Sequence, residues 1–243
     1  MVDATLCLLF RRPAVWLFVL CMPLLLSCTK SSTVSIKDVC SSLSSPCLLG
    51  KVLVQMRTNR GTITVEVNGD AAPVTAGNFV DLVKRGVYNG TVFNRVVKEP
   101  LPFVVQGGDP ASADPKTLKS NFGKGIFIDP ASGQARFIPF EVKLNTEDQP
   151  RYGQLITDPS DLLQLQLSHQ SGSLAMQRSQ APDSASAEFY IALRPLPQLD
   201  GRYAVFGRVR KGLEVVDAIR QGDRIVNASL LMAKPTLNAV PMP

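Results

Sequence analysis

Histidine is nearly missing from this 243-residue chain; His169 is the single example. A metal site built on several imidazoles is therefore excluded, and no cysteine has a metal-ligating partner near it. A serine hydrolase centred on His169 lacks its Gly-x-Ser-x-Gly turn, although Ser168 and Ser171 lie close by. No Gly-Lys-Ser/Thr follows Gly107-Gly108-Asp109, which rules out a phosphate loop and leaves a turn braced by Asp109. Clustered charge is also lacking. Lys plus Arg is 26 and Asp plus Glu is 20, a net +6 spread along the chain. That pattern is a solvated basic surface, not a nucleic-acid stripe. Apolar runs are short: Pro13 to Leu26 is 14 residues, where a spanning helix needs about 20. Apolar content is 45%, enough for a globular core.

That run carries its own information. Arg11 and Arg12 precede it, as in the apolar region of a secretory signal. It ends Leu25-Leu26-Ser27-Cys28, which resembles a bacterial lipobox whose cysteine becomes the lipidated first residue. The expected division is a signal at 1–27, a flexible tether at 28–48 with Cys28 as lipidation site, a domain at 49–230 and a tail at 231–243. An ordinary cleaved signal and an uncleaved anchor are the alternatives. Cys7 and Cys21 leave with the signal. Cys40 and Cys47 remain in a Ser-rich stretch, either as a small disulfide loop in an oxidising compartment or as two free thiols. Trp16 is the only tryptophan, so signal removal would leave tyrosine emission alone.

Periodicity organises the rest. Val52, Val54 and Met56 alternate with polar neighbours, as do Ile63, Val65 and Val67, with Asn59-Arg60-Gly61 between them. This is a β-hairpin with one buried face. Ala76, Phe79, Leu82 and Val83 have helical spacing within Val74–Arg85, with Pro73 or Thr75 as start signal and Gly86 as stop. Strands are expected at Thr91–Val97, Phe103–Gln106, Ser173–Gln177, Glu188–Leu193 and Tyr203–Val209, and a second helix at Gly212–Arg220. Many short strands, two helices and no βαβ alternation point to a mainly β, closed barrel. The segment at about 110–171 holds several Asp-Pro pairs and reads as surface loops with one or two short elements, Leu162–Leu167 being apolar enough to pack.

Five motifs stand in a fixed order: Phe93-Asn94-Arg95-Val96-Val97, Phe103-Val104-Val105-Gln106-Gly107-Gly108-Asp109, Gly172-Ser173-Leu174-Ala175-Met176, Glu188-Phe189-Tyr190-Ile191, and Leu199-Asp200-Gly201-Arg202-Tyr203-Ala204-Val205-Phe206-Gly207. Together they resemble the cyclophilin family of peptidyl-prolyl isomerases from about Lys51 to Gly222. The resemblance implies a closed, antiparallel, eight-stranded β-barrel capped by two α-helices. It implies no metal and no cofactor, and proline-containing polypeptides as partners. Nucleic acid is not expected as a partner; membrane contact would come through the N-terminal segment, and the protein is expected to be a monomer.

It also implies roles. Arg95 matches the catalytic arginine of the family. Phe103, Val104, Tyr190, Leu199 and Tyr203 match positions that line the proline pocket or bind substrate, and Gln106 matches a residue that holds the substrate backbone. Gln177 and Arg178 lie on the segment that hydrogen-bonds substrate through its main chain. Strand alternation puts Val104 with Gln106, and Glu188 with Tyr190, on faces that should meet at Arg95. Three departures matter. Glu188 replaces a common glutamine and could hold Arg95 in a bidentate pair or tie it up. Asn94 replaces a frequent histidine. Gln198 stands where many eukaryotic relatives carry the tryptophan that contacts cyclosporin, so weak binding of that drug is expected. The expected function is prolyl isomerisation outside the cytoplasm, probed by Arg95→Ala. The rivals are a cyclophilin-fold module that binds proline peptides with little turnover, favoured by Glu188, and an envelope scaffold using the insert.

Overall fold

The computed structural model describes residues 40–41, 46–123 and 125–231. The segment expected as a signal, 1–27, with Cys7, Trp16 and Cys21, lies outside the described residues, as do Cys28, most of the expected tether and the residues from 232. Among the described residues no helix is long and apolar enough to cross a membrane. Cys40 and Cys47 are bonded to each other as a disulfide.

The hairpin forms where alternation demands it. β1 (Lys51–Thr58) pairs with β2 (Gly61–Asn68) through an Asn59-Arg60 turn, and Val54, Met56, Ile63, Val65 and Val67 are completely buried. α1 (Pro73–Lys84) begins at Pro73, whose missing N–H is no loss at a helix start. Its first turn is capped from far away: the Glu141 carboxylate accepts from Val74 N–H at 3.1 Å and Thr75 N–H at 2.8 Å. Burial pushes the Glu141 carboxyl upward, while those main-chain donors pull it back.

β3 (Arg95–Val97), β4 (Val104–Gly107), β7 (Ser173–Met176), β8 (Phe189–Ala192), β9 (Val205–Lys211) and β10 (Ile225–Leu231) complete an eight-stranded sheet. Its order is β10-β1-β2-β9-β7-β8-β4-β3, and every pair is antiparallel. The two edges are sewn together. Gly90 and Phe93 donate to the carbonyls of Ile225 and Asp223 at 2.7 and 2.8 Å. Ile225 and Gly222 donate back to Thr91 and Phe93, both at 2.9 Å. The strand expected over 91–97 is therefore divided at Asn94: residues before it bond to the start of β10, and residues after it to β4. The chain must hand its bonds from one neighbour to the other for the curled sheet to close.

Inside lies the main core. Phe79 of α1 meets Tyr88, Phe189 and Phe206 with ring centroids 5.1–5.4 Å apart. Such tilted and edge-on contacts add to simple burial. α3 (Leu213–Ala218), shorter than the expected Gly212–Arg220, follows β9 and buries Val216.

The long insert is more ordered than a set of surface loops. It carries two 3-10 turns, the two-stranded pair β5 (Glu141–Val142) and β6 (Arg151–Tyr152), and one-turn α2 (Pro159–Leu162). Phe140, Val142, Leu144, Ile156 and Leu165 form their own apolar cluster with Ala204. Arg136, its side chain 5% exposed, ties the insert to α1 by pairing with Asp81 at 2.7 Å, and also pairs with Asp129 at 2.6 Å.

Candidate active site

Alternation along the strands separates two apolar faces. Val105, Leu174 and Ile191 point into the barrel core. Val104, Ala175, Tyr190 and Ala192 point the other way and form a second cluster with Leu196 and Val205. Phe103, Leu199 and Tyr203 are partly buried against that cluster. All five pocket residues expected from the sequence thus meet on one outer face of the sheet, and part of the cluster remains accessible.

Polar groups are set beside it by register. Arg95 lies opposite Gln106, Gln106 opposite Tyr190, and Tyr190 opposite Ala175, a row across four strands. Arg95 Nη1 donates to Gln106 Oε1 at 3.4 Å, and its Cζ stands 5.7 Å from the centre of the Phe103 ring. Arg95 is exposed, whereas Gln106 is buried. An exposed cation resting on an aromatic ring thus stands at the rim of the apolar patch.

The turn that follows β4 requires a glycine. Gly108 follows β4 with φ +90°, and a Cβ there would lie 2.9 Å from both the Tyr88 and Phe189 rings. Asp109 then braces the turn as expected. It is fully buried; Oδ1 accepts from Ala111 N–H at 2.9 Å and Oδ2 from Gly123 N–H at 2.8 Å.

The family model described as cyclophilin type peptidyl-prolyl cis-trans isomerase/CLD matches residues 53–239. The chain belongs to the cyclophilin-type peptidyl-prolyl cis-trans isomerases. A Synechocystis protein named as a thylakoid lumen peptidyl-prolyl cis-trans isomerase is 35% identical over 202 residues, covering 79% of this chain and 50% of that protein. The chain thus spans half the length of that relative. An Acinetobacter baylyi peptidyl-prolyl cis-trans isomerase is 31% identical over 176 residues, covering 70% of this chain and 73% of its own. A solved cyclophilin-type isomerase of Cryptosporidium parvum shares the fold with TM-score 0.53 and 21% identity, over 76% of this chain and 99% of that one. A second structure of that protein, in the presence of the dipeptide Ala-Pro, gives TM-score 0.52 and 22% identity over 74% and 99%.

Glu188 in this cyclophilin does not pair with Arg95. It immediately precedes β8, two residues from Tyr190 and about 7 Å off the Arg95 row, and its Oε1 accepts from Asn94 Nδ2 at 3.1 Å instead. Only 6% exposed, its carboxyl is pushed up to about 7 by burial and then by the charge of Asp109, against the pull of Asn94 and Gln106. Neither the bidentate clamp nor the sequestered arginine imagined from sequence is present. Gln177 and Arg178 sit beyond β7, where Gln177 N–H donates to the Glu188 carbonyl at 2.9 Å. The Arg178 guanidinium is committed to the carbonyls of Ser179, Gln180 and Arg202 and lies 4.8 Å from the Tyr203 ring centre. It acts as a wall brace. A cavity of about 280 Å³ adjoins, bounded by Gln177, Arg178, Glu188 and the insert residues Ile126 and Phe137.

Sequence reading missed the roles of two residues, Asp200 and His169, and the partner of a third, Asn94. Asp200 and His169 stand behind Tyr190, linked to it by hydrogen bonds. Asn94 is the partner of Glu188. Both pairings join residues far apart in the chain, and no local pattern announces them.

Proposed function

We propose that this protein accelerates rotation about X-Pro bonds of exported polypeptides, with Arg95 as the catalytic group. Amide conjugation raises a barrier of about 18–20 kcal/mol. Twisting the bond localises the lone pair on the prolyl nitrogen. A donor that meets that lone pair binds the twisted state better than either planar isomer, which is what lowers the barrier. No bond is broken, so the chemistry calls for neither an acid–base pair nor a nucleophile.

Each part has a candidate. Arg95 offers permanently charged N–H groups at the pocket rim. Phe103, Val104, Tyr190, Leu199 and Tyr203 grip the proline ring while the preceding residue turns. Gln106, held against Arg95, positions the guanidinium and the substrate backbone, and the main chain at Gln177 and Arg178 holds the flanking peptide. The observation that carries the reading is the Arg95–Gln106–Tyr190 row laid directly beside the second apolar cluster. The Ala-Pro dipeptide named with the solved relative supports proline peptides as partners.

A binding module without turnover was favoured by the thought that Glu188 ties up the arginine. Its engagement with Asn94 removes that ground. A protease-coupled isomerisation assay on the secreted form, beside Arg95→Ala, tests the proposal; equal rates near background for the two proteins would refute it.

The Synechocystis relative, named for the thylakoid lumen, supports a non-cytoplasmic location. The N-terminal pattern supports a signal at 1–27, lipid attachment at Cys28 and a tether to residue 48 that holds the domain at 49–230, proposed as a monomer, near a membrane. Fatty-acid labelling that persists in Cys28→Ala would overturn the lipid site.

A further inference from the structure

The pocket reading uses the ring of Tyr190 but not its hydroxyl. That hydroxyl is 2.8 Å from Nε2 of His169. Nδ1 of His169 is 2.7 Å from Oδ1 of Asp200, and the same oxygen accepts from the His169 main-chain N–H at 2.7 Å. Tyr190 and His169 are 3% and 1% exposed. Their rings lie nearly parallel, at 11°, with centroids 5.9 Å apart.

The chain of bonds has a direction. A carboxylate only accepts, so Nδ1 carries the proton. Nε2 is then the acceptor, and the phenol donates to it. Every polar group in the relay is satisfied in this one arrangement, as buried groups require. The three residues come from different parts of the pocket wall. His169 precedes β7, and its carbonyl accepts from Leu196 N–H at 3.0 Å. Asp200 directly follows Leu199. Tyr190 is the middle of the Arg95 row and packs edge-on against Tyr203, 5.8 Å between centroids.

We propose that His169 and Asp200 are positioning residues for the isomerase reaction: through the Tyr190 hydroxyl they set the depth and tilt of the ring on which the substrate proline rests. The relay locks the β8 wall to the Leu196–Asp200 wall, so a proline entering the pocket presses on a surface held from behind. The inference rests on the pocket assignment made above.

The only histidine of the chain makes the test unusually direct. In ¹⁵N-histidine-labelled protein, the imidazole should show a protonated Nδ1 and an unprotonated Nε2. Titration with a tetrapeptide containing a central Ala-Pro bond should shift the Nε2 resonance, saturating with the catalytic KM. Tyr190→Phe should make His169 insensitive to the peptide. His169→Ala should lower kcat/KM about 5- to 10-fold, the loss of one buried hydrogen bond's worth of order. His169→Gln should restore most of it, because the carboxamide can accept from the phenol and donate to Asp200. The opposite tautomer would overturn the proposal. So would a peptide that, in uniformly labelled protein, perturbs Arg95 and Phe103 signals while leaving His169 unmoved; the pocket assignment would then survive alone. A peptide that perturbs none of the three would bring down both.

Discussion

Glu188→Gln should stabilise the protein in mild alkali and progressively less so in acid. The folded carboxyl titrates at about 7, against an ordinary 4.5. The folded state therefore holds the proton more tightly than the unfolded chain does. Below about pH 4.5 the group is protonated in both states and nothing is lost. Between about 4.5 and 7 unfolding releases the proton, and stability falls by about 1.4 kcal/mol per pH unit. Above that window the loss levels off at about 3 kcal/mol. Glutamine cannot ionise, and its N–H can serve the buried Asn94 Oδ1, which has no partner among the described residues. Urea unfolding of both proteins from pH 4 to 8.5, followed by circular dichroism, isolates the difference, since other titrating groups cancel. The variant's advantage should widen by about 3 kcal/mol across the range. An offset that stays constant, or shrinks as pH rises, would refute the reasoning and would mean that the carboxylate is held ionised by Arg95 after all.

Four further outcomes are expected. Arg95→Ala should lower kcat/KM by about 100-fold with an unchanged circular dichroism spectrum, because the side chain is exposed. Glu141→Ala should lower stability by about 2 kcal/mol in urea titrations, since two main-chain donors at the start of α1 lose their buried acceptor. Gly108→Ala should lower the melting temperature by several degrees, as φ +90° and two aromatic rings at 2.9 Å leave no room for a methyl group. Cyclosporin should bind weakly in calorimetry, because exposed Gln198 offers no indole; a tight isotherm would contradict this.

Legibility in the sequence tracked how local the cause was. β1 and β2 were plain because Val54, Met56, Ile63, Val65 and Val67 alternate with polar residues and all turn inward. β10 was not foreseen: Val226 and Leu231 are apolar yet exposed, which blurs the period of two. Within the insert, Phe140, Val142 and Leu144 alternate and all are buried, a signal that was present and outweighed by the Asp-Pro pairs. The pocket residues were legible because strand alternation and motif order place them together. The relay of Asp200, His169 and Tyr190 was not, because its bonds span 31 and 21 residues. Nor was the cap on α1, supplied by a residue 66 to 67 positions away. No propensity scale reports a hydrogen bond whose two ends are brought together only by the finished sheet.

The seam between residues 90–93 and 222–225 sets a clock on the enzyme's own birth. Arg95 stands just past a stretch whose hydrogen-bonding partners, residues 222–225, lie about 130 positions further along the chain. Long-range pairing of this kind is slow to form. The stretch that leads into Arg95 therefore takes its final place only when residues 222–225 fold back onto it, however early β1 and β2 have paired.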